Sequence, residues 1–221
     1  MKSSFSVPIA IVLGGVIVAT AVYVSMPKVA PAGAGNPALV RPVSASDHIL
    51  GNPAAKVMIV EYSDFDCEFC ASFNETLQQV IANEGASGDV ALVFREFPLI
   101  DVHPNAFAHA RAAECAAQAA GTDAFWKFAD ALFANQPTDP SRYGALAKDA
   151  GIAGDAFATC VAAASSALDA RITADRQNAL DMKAQDAPFS LILTAGKSPV
   201  VMEGDYPYDV VKQLVDTALA Q

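Results

Sequence analysis

Basic residues are scarce in this chain, with 14 Lys and Arg against 24 Asp and Glu. Lys2, Lys28 and Arg41 are the only charges before Asp47, so the rest of the chain sets 24 acids against 11 bases, a net charge of −13. Such a balance argues against nucleic acid, which demands clustered Lys and Arg to neutralise phosphates, and against electrostatic docking on anionic lipid. Cysteine is sparse too, and four in 221 residues are too few for a miniprotein built on disulfides. The three histidines, His48, His103 and His109, are too scattered for a metal triad, and surface or capping roles are expected of them. Repeats at solenoid periods are missing. A hydrophobic fraction of 53% excludes disorder for most of the chain. One compact acidic domain of ordinary size remains, with an apolar segment at its front.

Ser3 to Pro27 carries no charge, and Phe5 to Val24 is almost continuously apolar. Twenty helical residues rise about 30 Å, the thickness of a bilayer's hydrocarbon core. Lys2 and the N-terminal amine favour a cytoplasmic N-terminus with the bulk of the chain translocated. Ala19-Thr20-Ala21 has the spacing of a signal cleavage site, but Val22-Tyr23-Val24 continues the apolar run past it, which favours an uncleaved single-pass anchor over a removed signal segment. Either way the domain is expected outside the cytoplasm. Residues 1–25 are thus the anchor or signal, and 26–46, with Pro27, Pro31, Pro37 and Pro42, read as a Pro/Gly/Ala-rich tether.

The domain proper is expected at 47–221. Val57 to Val60 is a short β-branched run leading through Glu61-Tyr62-Ser63 toward Cys67, which predicts a buried strand. Cys70, Phe73, Leu77 and Ile81 then recur at three- and four-residue intervals, the stripe of an amphipathic helix stopped by Gly85 and Gly88. Val90 to Phe97 is a second strand, so the three form a βαβ unit with a parallel pair. Residues 101–186 read as an alanine-rich helical block, with Pro104 opening its first helix and Trp126, Phe125 and Phe128 in its core. Strands at Ser190 to Leu193 and Val200 to Met202 and a helix from Tyr208 to Ala220 complete an α/β order of βαβ, helical insert, ββα.

Cys67-Glu68-Phe69-Cys70 lies where the first strand hands over to its helix. A cysteine at a helix N-terminus meets unpaired N–H groups and the positive dipole end, which lower its pKa and raise the reactive thiolate. Cys70, one turn on, can close a ring with it and resolve a mixed disulfide. Zinc would want two further matched ligands, and no second Cys-x-x-Cys exists. An inert bridge gains little from so short a loop. The expected redox group is therefore the Cys67–Cys70 disulfide, without metal or added cofactor. Glu68 places a carboxylate beside Cys67 and is expected to oppose the thiolate, raising its pKa and lowering the pair's potential. Phe69 reads as an apolar rim for substrate. Cys115 and Cys160 are each expected on an insert helix, either bridged to one another or buried as free thiols. Asn74-Glu75-Thr76 matches a glycosylation triplet but falls inside the predicted helix.

The segment Tyr62-Ser63-Asp64-Phe65-Asp66-Cys67-Glu68-Phe69-Cys70, with the helical insertion and a later proline before the third strand, resembles DsbA-type thiol–disulfide oxidoreductases of the thioredoxin fold. The resemblance runs from about Asp47 to the C-terminus. It implies a cis-proline beside the redox pair that docks an extended substrate backbone. Pro188, in Asp186-Ala187-Pro188-Phe189, takes that place, although its context departs from the Gly-Thr-Pro-Thr often found there. It also implies an acid six residues before the first cysteine. Glu61 stands there, either to exchange a proton with Cys70 or as a glutamate paired across the sheet with Arg95. The activity implied is exchange of a disulfide with unfolded or translocating cysteine-containing proteins, with a membrane or small-molecule redox partner resetting the pair. The same residues would also serve a reductase or isomerase, or a peptide-binding chaperone module without redox turnover.

Overall fold

A computed structural model describes residues 36–152, 155–163 and 165–221. The anchor expected at 1–25 lies outside the described residues, and among these no helix is long and apolar enough to cross a membrane.

In chain order the elements are β1 His48–Gly51, β2 Val57–Ser63, α1 Glu68–Glu84, β3 Val90–Glu96, α2 Ala106–Ala120, α3 Thr122–Phe133, α4 Tyr143–Asp149, α5 Ala156–Ala162, α6 Ser166–Asp181, β4 Phe189–Thr194, β5 Val200–Glu203 and α7 Tyr208–Leu219. The five strands form one sheet in the order β1-β3-β2-β4-β5. β2 and β3 are parallel, as two strands joined through a helix must be, and the other pairs are antiparallel. This is the thioredoxin-like α/β architecture with a helical insertion. The central β2 and β3 are buried almost throughout. Phe94 of β3 meets Phe65, Phe125, Trp126 and Phe133 at ring separations of 5.2, 5.4, 6.1 and 6.4 Å, so one aromatic cluster joins sheet to insert.

Several boundaries differ from expectation. β1 is a strand that the sequence pattern does not announce. Its His48 is buried, stacked 3.6 Å from the Phe125 ring and paired through Nε2 with Glu114 at 3.0 Å. Pro104 precedes α2 by two residues instead of opening it. Of the tether expected at 26–46, the part from residue 36 on lies among the described residues. Residues 36–46 lie along β3 and α6, where Asn178 Nδ2 donates to Leu39 O and Asn178 Oδ1 accepts from Arg41 N. Arg41 also pairs with Asp175, while Arg95 Nη2 donates to Pro42 O. A proline-rich stretch without periodicity looks like a spacer by composition, yet its backbone groups at Leu39, Arg41 and Pro42 are met by side chains more than fifty residues away. Asn74 is buried on α1, out of reach of any glycosyl transfer in the folded protein.

Cys115 on α2 and Cys160 on α5 form a disulfide, with Cα atoms 5.6 Å apart. Of the two readings open from the sequence, the bridge is the one realised.

Candidate active site

The sheet register brings the two halves of the site together. Tyr62 pairs with Phe189 across the antiparallel β2–β4 ladder, so Pro188 falls level with Ser63 and Ala187 faces the loop that runs to Cys67. The Ala187–Pro188 peptide is cis, as the resemblance implied. The Cys67 thiol donates to the Ala187 carbonyl over 3.4 Å.

Cys67 is the residue that caps the N-terminus of α1. Its thiol is pulled down to about 7, chiefly by a hydrogen bond from Cys70; burial opposes this, and the amides of Cys70 and Phe69 assist it. Cys70 is fully buried, and its thiol is pushed well above the ordinary value by burial first, then by Cys67 and by the charge of Glu61. The two thiols are unbonded and unequal, an outer one at the helix head and an inner one sealed behind it.

Glu61 is completely buried. Its Oε1 accepts from the Ser63 hydroxyl at 2.8 Å, and Oε2 has no partner. Burial pushes its carboxyl up to about 8. The alternative pairing with Arg95 does not occur. Tyr62, not Glu61, sits opposite Arg95, so the two side chains point to opposite faces of the sheet. Arg95 instead binds Asp47 at 2.9 Å and the Tyr62 hydroxyl at 2.8 Å. One consequence is measurable. The unfolded chain releases the Glu61 proton near pH 4.5, whereas the folded protein holds it to about pH 8. Between those values the folded state binds more protons, so stability falls as pH rises, by up to about 1.4 kcal/mol per unit. Glu61→Gln should flatten that fall, and urea midpoints of both proteins at pH 5 and pH 8 would show it. Equal declines in the two would place the titration elsewhere.

The Glu68 side chain is exposed on the first turn of α1 and lines the cleft of Cys67, and a second carboxylate, Asp64, opposes the Cys67 thiolate by its charge. Asp64 is buried and pinned by Asp66 N at 2.8 Å, Leu99 N at 2.7 Å and Nδ1 of His103 at 3.0 Å. Phe69 is 58% exposed, a large bare ring beside the cysteine pair. With Ala187, Pro188, Phe189 and Gly204 it lines a cleft of about 850 Å³, and a second of about 380 Å³ holds Cys67, Leu99, Val102 and His103.

Sequence reasoning missed the hold that the helical insert keeps on the redox loop. Gln136 Nε2 donates to the carbonyls of both Phe65 and Cys67, at 2.7 and 3.0 Å. His109, expected at the surface, is fully buried, with Nε2 3.0 Å from Asp66 Oδ1 and Nδ1 2.6 Å from the Tyr143 hydroxyl. Burial pushes its imidazole below the ordinary value against the pull of Asp66. The Asp64-x-Asp66 spacing was the one local hint, because such side chains cap turns two residues on. Among the described residues no group of three or more His, Cys, Asp or Glu side chains is arranged to hold a metal ion.

A thioredoxin-like sheet thus carries a cysteine pair at the head of its first long helix and a cis-proline across from it. The sequence model described as Thioredoxin matches residues 44–192, and the chain belongs to that family. Among solved structures, Wolbachia pipientis alpha-DsbA1 superposes with a TM-score of 0.69 at 19% identity, over 83% of this chain and 95% of that one. Pseudomonas aeruginosa DsbA2 superposes with a TM-score of 0.61 at 25% identity, over 80% and 96%. A curated relative named Na(+)/H(+) antiporter NhaA 1, from Mycolicibacterium vanbaalenii, is 36% identical over 155 residues, which is 68% of this chain and 24% of that protein. The chain spans a quarter or less of the length of the curated relatives it matches.

Proposed function

We propose that this protein works outside the cytoplasm, passing a Cys67–Cys70 disulfide to cysteines of exported, unfolded polypeptides, and that a membrane or small-molecule partner reoxidises it. The carrying observation is the asymmetry of the pair, one thiol at about 7 on a helix N-terminus and the other buried and pushed up. A substrate thiolate attacks Cys67 Sγ, the Cys67–Cys70 bond breaks, and Cys70 leaves as a thiolate that takes a proton from Glu61. A second substrate thiolate then attacks the substrate sulfur of the mixed disulfide and releases Cys67. Two substrate thiols become a disulfide while the enzyme's disulfide becomes two thiols. Phe69 and the cleft before Pro188 supply apolar area for an extended chain. The uncharged run from Phe5 to Val24 supports both the location and an anchor.

A Cys67 thiol near 7 stabilises the reduced form less than the far lower values of strongly oxidising pairs do. The pair is therefore expected to equilibrate with glutathione at a more reducing potential than those pairs. Oxidation of a reduced dithiol peptide and reduction of insulin, each with Cys67→Ser as control, test the reading. Loss of both activities in the control supports it. Full binding of unfolded peptide with no exchange in the wild type would make the chain a chaperone module.

A further inference from the structure

The exchange reaction has two sulfurs to serve with protons, and Glu61 approaches them from within the sheet, where its charge is felt by both. On the outer side, the small cleft that Cys67 lines is also lined by His103, Asp66, Glu68 and Asp186. Carboxylates titrate near pH 4, far from a thiol, whereas imidazole changes charge between pH 5 and 8. His103 is also the held group. Its main-chain N–H donates to Leu99 O at 2.9 Å, and Nδ1 lies 3.0 Å from Asp64 Oδ2, an oxygen that already accepts from Leu99 N. The imidazole therefore donates from Nδ1, and Nε2 is the atom left to gain or lose a proton. Among the described residues Nε2 has no hydrogen-bond partner. The side chain is 27% exposed, open to the cleft but not adrift in water.

We infer that His103, oriented by Asp64 in the cleft it shares with Cys67, takes the proton of the incoming substrate thiol and returns it to the Cys67 sulfur as that sulfur leaves. The inference rests on the redox reading and deepens it: each sulfur of the pair has its own proton carrier, Glu61 from within the sheet and His103 from the groove. The balance closes. One substrate proton passes to Nε2 and on to Cys67, the other is released to water and replaced on Glu61 after Glu61 has protonated Cys70, and the electron pairs move only between sulfurs. Run backwards, the same two groups serve a reductase.

The charged groups around His103 are Asp64, Asp66 and Cys67 from the redox loop, Glu68 at the head of α1, Asp186 across the cleft, and Asp101 on its own loop. Arg176 of α6 donates to Pro98 O at 3.1 Å and stands 3.9 Å from Asp101. Burial disfavours the imidazolium, but the hydrogen bond and charge of Asp64, with Cys67 and Asp66, outweigh it and hold His103 above its ordinary value. An imidazole donating from Nδ1 and open at Nε2 has the free lone pair that a proton carrier needs. A free thiol of ordinary pKa is only about 3% ionised at pH 7, so a base that ionises it gains at most about thirtyfold.

The test is the rate at which the oxidised protein takes electrons from a reduced dithiol peptide, followed from pH 5.5 to 9.5, for wild type, His103→Ala and His103→Gln. Both variants should be about ten- to thirtyfold slow at pH 7, with the gap closing toward pH 9.5 as the peptide thiol ionises unaided. Free imidazole should restore part of the His103→Ala rate and leave the wild type unchanged. Profiles that superpose on wild type, or a gap constant across pH and blind to imidazole, overturn the assignment, the second by marking a purely structural residue. A wild type that exchanges with no dithiol at any pH would instead overturn the redox reading beneath it.

Discussion

Cys70→Ser should stop the protein on its substrate: one covalent adduct through Cys67, visible on a non-reducing gel and released by dithiothreitol, with no second turnover. Among the protein's own groups only the inner sulfur is placed to break a mixed disulfide at Cys67, so without it release waits for a thiol from outside. Cys67→Ser should give neither adduct nor turnover. The substitution chosen at residue 70 also matters. The hydrogen bond from Cys70 is the largest cause of the low Cys67 value, and a serine hydroxyl can still donate it where alanine cannot. Iodoacetamide alkylation of Cys67 should therefore show a midpoint near 7 in wild type, little change in Cys70→Ser, and a clear rise in Cys70→Ala. Equal midpoints in serine and alanine variants would assign the depression to the helix terminus alone. A Cys70→Ser protein that turns over repeatedly would show that Cys70 is not the resolving group.

The second large effect is on stability. The Cys115–Cys160 bridge closes a loop across a sequence separation of 45 between α2 and α5. Closing a loop of that length removes chain entropy from the unfolded state worth about 4 kcal/mol. Replacing both cysteines with alanine should lower the melting temperature by about 8–16 °C for a domain of this size. Peptide exchange at 25 °C should survive, because the bridge is remote in sequence from the Cys67 loop and α2 retains its packing through Ala112, Ala113 and Ala116. A melt lowered by only about 2 °C would mean that the unfolded chain is already restrained in this region.

How much of this was legible before the coordinates follows from where the information sits. β2, α1 and β3 are written locally, in a β-branched run, a stripe at helical spacing and two glycines, and they appear within a residue or two of expectation. Cys67 and Cys70 were legible for the same reason, since their spacing is local, whereas Pro188 came only from the family resemblance. β1 was not, because four residues beginning with a histidine carry no alternation, and only the stack on Phe125 and the pair with Glu114 make His48 an inward residue. His103, His109 and Gln136 lie 36 or more residues from Cys67, and the chain's folding alone brings them to one loop. Asp64 was missed as a charge on Cys67 because nothing in its sequence position tells that the loop buries it.

The grip of Gln136, His109 and His103 on residues 64–67 has an outcome for anyone building hybrids from this fold. The helical block looks like a detachable cap over a self-sufficient ancestral scaffold, yet it supplies the fingers that set the angle of the nucleophile. A graft that transplants the sheet and both sulfurs under a foreign cap would preserve every hallmark motif and still inherit someone else's reactivity.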